Sequence, residues 1–192
     1  MIRFLVAAKG RGMFGLFKKK KPHSEPQLPQ AAEVSTLVRL CEIHEQLCND
    51  VNGLYSEFES YNPAELRFFT MSAISIFAQS FGNLPARDIQ ELIEKFTEQC
   101  VAMMLYYMPK AEYPQVRNAF ISRFPAYPEL VVAVFNAQTT EALQESTFSL
   151  VSAMDHYIRV ERSPFDVALA GLKISAILTD LAINVRDAVV TP

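Results

Sequence analysis

Residues 34–58 read VSTLVRLCEIHEQLCNDVNGLYSEF, and within them Val34, Leu37, Cys41, His44, Cys48, Val51, Tyr55 and Phe58 recur at alternating steps of three and four. That spacing is the period of an amphipathic helix. Leu40, Leu47 and Leu54 widen the stripe on one flank, giving a face broader than a two-stranded coiled-coil seam and suited to the inside of a bundle. The helix is expected to run from Ala31 to Ser60, where Asn62 and Pro63 close it.

Outward from this stretch the helix signals repeat. Asn62, Pro63 and Glu65 supply an N-cap, a first-turn proline and a capping-box acid for a second helix. That helix carries Leu66, Phe68, Phe69, Met71, Ile74, Ile76, Phe77 and Phe81 almost all round, as a central buried helix does, and Gly82 is its natural stop. Pro85 opens a third helix. Pro109, Pro114, Pro125 and Pro128 then cut the chain into short pieces, with one-face helices over 116–124 and 129–138 and a hinge or corner crowded by Tyr113, Phe120, Phe124 and Tyr127. Thr139 or Thr140 caps a helix to about Arg162 whose buried set includes Leu143, Phe148, Leu150, Met154 and Ile158. Ser163, Pro164 and Asp166 start the last helix, which is nearly apolar all round and reads as a second central helix. No hairpin signal occurs, so the fold class expected is all-α: a bundle of about six or seven helices over 31–192, preceded by a basic tail over 1–30.

The chain of 192 residues is 50% hydrophobic and 20% charged, with a net charge of -3. Residues 1–22 hold seven cations and no acid, which leaves 11 of the 18 basic residues in the body against all 21 acidic ones. So acidic a body is a poor match to a phosphate backbone, so nucleic acid is not expected as its partner, and only the tail would attract phosphate. In the tail, Phe14, Leu16 and Phe17 beside Lys18, Lys19, Lys20 and Lys21 pair apolar side chains with cations suited to an anionic membrane surface. Gly10, Gly12 and Gly15 match G-x-G-x-x-G, but four lysines and Pro22 follow where a dinucleotide site needs a helix. The apolar run Phe4–Ala8 is too short for a secretory signal core, and every later apolar run is interrupted before the roughly 20 residues a membrane span needs. Three cysteines form no disulfide framework, so a reducing, cytoplasmic setting is expected.

Candidate chemistry is sparse. His44 and Cys48, four apart on one helix face, would share a metal ion only with ligands from elsewhere, for which Cys100 and His156 are the soft candidates. Cys41 and Cys48 lie about 10 Å apart along the helix, too far for both to join one zinc ion without distortion. Glu-x-x-His pairs, H-E-x-x-H and G-x-S-x-G are all absent. Met103, Met104, Tyr106 and Tyr107 would line an adaptable apolar pocket if the protein were a ligand or cofactor sensor. The reading preferred on these grounds is a non-catalytic interaction or regulatory protein without a cofactor, engaging a protein partner or a second copy of itself, with the tail at an anionic membrane surface.

Overall fold

The computed structural model describes residues 30–59, 61–81, 85–107 and 112–190, with the side chains of 30–33 and 106–107 excepted. Among the described residues there are seven α-helices and no strand. They are α1 (Gln30–Asn52), α2 (Pro63–Phe81), α3 (Ala86–Tyr107), α4 (Tyr113–Arg123), α5 (Pro128–Asn136), α6 (Thr140–Ile158) and α7 (Pro164–Val190), with a 3₁₀ turn, Phe124–Ala126, between α4 and α5. The all-α bundle read from periodicity is the observed architecture.

The central helix is α2, which packs against α1, α3, α5, α6 and α7. Every residue from Phe68 to Ala78 is buried. A helix with no exposed side in its middle must satisfy its own polar side chains. Ser72 and Ser75 do so by donating to the carbonyls of Phe68 and Met71, each at 2.8 Å, the i−4 back-bond open to a buried helical serine. Aromatic edge-to-face contacts lock α2 to its neighbours. Phe69 meets Tyr127 at 5.4 Å between centroids and Phe77 meets Phe135 at 4.8 Å, so the proline-cut corner packs its rings inward as aromatic core.

The caps follow the sequence closely, with one reassignment. Asn62 Oδ1 accepts from Ala64 N, Thr139 Oγ1 accepts from Ala142 N, and Ser163 Oγ accepts from Asp166 N. Glu65, expected as a capping-box acid, instead turns its carboxylate to Arg123 of α4 in a two-point pair at 2.9 and 3.1 Å. Bidentate pairing with a guanidinium holds a nearly buried carboxylate better than one backbone N–H can.

Three expectations need correction. The first helix ends at Asn52 and not at Ser60; turns carry the chain on through Glu57. Gly53 and the Leu54 and Tyr55 side chains, which pack inward, account for the break. The buried stripe of α1 is also rotated toward the leucine flank: Leu40, His44, Leu47, Cys48 and Val51 are buried, whereas Val34 is exposed and Leu37 and Cys41 are half-buried. Finally, α7 is not buried all round, and Phe148 of α6 is exposed with it. One side of α7, including Val167, Ile174, Leu178 and Val185, fills the core, and the other faces outward. Gly171 lets that inner side approach α6 closely, since a Cβ there would stand 3.0 Å from Thr147 Oγ1.

Candidate functional site

Three features of the described residues were candidates for function: the polar node at His44, the ion pair at Arg162, and the outer surface formed by α7 with α1.

His44 is fully buried. Its Nε2 lies 3.6 Å from Cys48 Sγ, and that sulfur lies 3.2 Å from Thr70 Oγ1. Thr70 donates its one hydroxyl proton to the Arg67 carbonyl at 2.9 Å. The Cys48 thiol thus lies within hydrogen-bonding reach of both Thr70 Oγ1 and His44 Nε2. His44 Nδ1 stands 3.5 Å from Glu45 Oε1. Glu45 is itself held by Arg67 at 2.7 and 3.3 Å. Burial, reinforced by the Arg67 guanidinium, pushes the imidazole down to about 4, so at neutral pH the ring is uncharged.

Of the three cysteines Cys48 lies against this ring, while Cys41 and Cys100 are hydrogen-bonded to each other. All three are free thiols, with Cys48 and Cys100 buried and Cys41 half-buried. His156 is exposed on α6, with its ring against Tyr157. Among the described residues no group of three or more His, Cys, Asp or Glu side chains is placed to hold a metal ion. The thiols differ in ionisation. A hydrogen bond from Cys100 lowers Cys41, whereas burial raises Cys48 to about 11 and Cys100 well above its usual range. Since the thiolate is the reactive form, iodoacetamide at neutral pH is expected to label Cys41 alone in the folded protein and all three cysteines in urea. Peptide mass spectrometry reads this directly, and native labelling of Cys48 or Cys100 would contradict the arrangement.

Arg162 is the pivot between α1, α6 and α7. The α6 helix ends at Arg159 in the left-handed conformation (φ 68°), which turns the chain back over the helix end. Arg162 then reaches Asp155 Oδ1 at 3.3 Å and the Leu54 carbonyl at 2.5 Å, and its guanidinium lies 4.7 Å from the ring centres of both Tyr55 and Phe58. Tyr55 donates its hydroxyl to Asp155 Oδ1 at 2.9 Å. Both side chains of the pair are nearly buried, and burial holds Asp155 above the usual carboxylate range despite these partners. The node links parts of the chain more than 100 residues apart; it is a structural clasp.

The outward side of α7 is of another kind. Phe165, Leu169, Leu172, Ile183 and Val190 are all exposed, Phe165 by 71% and Leu172 by 62%. Scattered exposed leucines are ordinary, but large apolar residues gathered along one face mark a contact surface. Beside this face a groove of about 850 Å³ runs between α7 and α1. Leu47, Leu54, Ile177 and Leu181 contribute its apolar lining, and Glu42, Asp50 and Asp180 outnumber Lys173 as its charged groups. The sequence reading missed this surface because it treated α7 as a core helix. The available signal was the regular recurrence of apolar positions on the side away from Val167, Ile174 and Leu178.

Of the other sequence candidates, Met104 is buried, Met103 is half-buried, and neither lines the groove. The side chains of Tyr106 and Tyr107 lie outside the described residues, as do Phe14, Leu16, Phe17 and Lys18 to Lys21. No described helix is long and apolar enough to cross a membrane. In comparisons with family models, curated proteins and solved structures the chain matches none, so its function is argued from its own residues.

Proposed function

We propose that this chain is a non-catalytic cytoplasmic interaction protein, in which the outer face of α7 docks a protein partner and the basic N-terminal segment meets anionic membrane. The observation that carries the docking role is the row of exposed apolar side chains on the longest helix, Phe165, Leu169, Leu172, Ile183 and Val190. Keeping such residues in water costs solubility and contributes nothing to the core, whereas burying one against a partner returns about 1.5–3 kcal/mol. The polar node at His44 points the same way, because its groups are engaged with one another and none of them lines the groove.

A photoreactive amino acid placed at Leu172, with Glu98 on the exposed side of α3 as control, tests the docking role in the cells that make the protein. Discrete adducts from position 172 and none from 98 are expected; no adduct from 172 would defeat the reading. The membrane role rests on residues 1–22, whose seven cations face no acid in that segment. Each lysine near an anionic surface contributes about 1 kcal/mol. Full-length protein should therefore co-sediment with phosphatidylserine-containing vesicles at low salt while a variant starting at Ala31 stays in solution. Equal partition of the two would remove that role.

A further inference from the structure

We infer that the occupant of the α7 face is a second copy of this chain, its own α7 lying antiparallel across the first. The inference rests on the reading of that face as a docking surface and names what docks. The exposed positions step by four and three without interruption: from Phe165 to Leu169 and Leu172, then Ala176 and Thr179, then Ile183, Arg186 and Val190, all exposed. An unbroken alternation of this kind averages 3.5 residues, the repeat by which one helix keeps a seam against another helix.

The seam is also complementary to itself when reversed. Centred between Ile177 and Leu178, a two-fold axis sets Ala176 opposite Thr179 of the second copy, Leu172 opposite its Ile183, and Phe165 opposite its Val190. Small residues thus meet at the crossing, where the backbones come closest, and large ones meet outside it. A parallel pair would instead set Arg186 against Arg186. In the antiparallel pair Arg186 faces Leu169, over which its aliphatic stem packs while its guanidinium stays on Asp187 at 3.0 Å.

Charge supports the match at Lys173 and Asp180. Asp166, Lys173, Asp180 and Asp187 form a flanking column at intervals of seven. Asp166 is engaged by Ser163 at the helix cap and Asp187 by Arg186. Lys173 and Asp180 have no ion-pair partner among the described residues, and the same two-fold axis brings each beside the other on the second copy; it also brings Asp166 beside Asp187, where Arg186 on Asp187 offsets the like charges. Isologous contacts pair residues reciprocally in this way.

Sedimentation equilibrium of the full chain from 1 to 100 µM, with circular dichroism as a fold check, tests the inference. The wild type should reach twice its 21.6 kDa. Leu172→Glu, at a position exposed in the single chain, should keep the fold and stay at one chain mass. Lys173→Asp should weaken pairing by roughly tenfold through two like-charge contacts, and adding Asp180→Lys should restore it. A wild type that remains one chain at 100 µM, a Leu172→Glu dimer, or a double swap no tighter than the single would overturn the inference. If the wild type is one chain yet Leu172 adducts form with another protein, self-pairing fails and the docking role stands; without adducts the docking role fails too.

Discussion

Arg162→Leu is expected to lower the unfolding free energy by about 3–5 kcal/mol, the usual result of removing one member of a buried charge pair. Without Arg162, Asp155 keeps only the Tyr55 hydroxyl, and the Leu54 carbonyl loses its donor. The leucine replaces the guanidinium's bulk against Tyr55 and Phe58, so the loss reports charge and hydrogen bonding more than packing. Adding Asp155→Asn, which keeps a hydrogen-bonding partner for Tyr55 and removes the unpaired charge, should recover a large part of it. The pH dependence has a definite sign. Burial already holds the folded-state Asp155 above its unfolded value, and loss of Arg162 raises it further. The variant's deficit is therefore present in full above the folded-state value and shrinks as pH falls and Asp155 takes up a proton. Urea midpoints at pH 7 and pH 4.5 read both effects. A deficit under 1 kcal/mol at pH 7 would show that Arg162 is not the clasp between α1 and the end of α6.

The second large effect is acid sensitivity from His44. In the unfolded chain it titrates near 6.5; in the fold, burial and Arg67 push it down to about 4. Between these values the unfolded state binds a proton that the folded state refuses, so stability falls as pH falls, by about 3 kcal/mol across the window. Glu45 adds to the loss at still lower pH, because its pairing with Arg67 lowers it in the folded state. Cys48, against the ring, and Thr70, beside Cys48, do not titrate in this range. His44→Gln removes the slope, whatever its own cost. Urea melts from pH 8 to pH 4 should show the wild type losing stability below pH 6.5 along a steeper curve than the variant. Parallel curves would mean that the imidazole titrates in the fold as it does in the unfolded chain.

Helix content and most caps were legible in the sequence because they are local. Asn62, Thr139 and Ser163 cap by reaching two or three residues onward, and a single sequence displays that reach. Burial was legible where composition left no choice, as along residues 68–78 of α2, where only small or uncharged residues stand between apolar ones. It was misread along α7, which is as apolar as α2 but stands at the edge of the bundle. Hydropathy reports what a residue would gain by burial, and only the packing of α1, α2 and α6 decides which side of α7 receives it. The rotation of α1 has the same origin. Two overlapping stripes were present in residues 34–58, and the flank with Leu40, Leu47 and Leu54 won because it buries more apolar surface. The nodes at His44 and Arg162 were beyond the reach of sequence reasoning altogether, since Thr70, Arg67 and Leu54 belong to other elements.

Oxidation of exposed side chains by hydroxyl radicals measures directly whether the outer face of α7 is covered in solution. Footprinting the full chain at 1 µM and at 100 µM should show Phe165, Leu169, Leu172 and Ile183 oxidised readily in the dilute sample and severalfold less in the concentrated one. Equal oxidation of these four residues at both concentrations would contradict a second copy seated on α7.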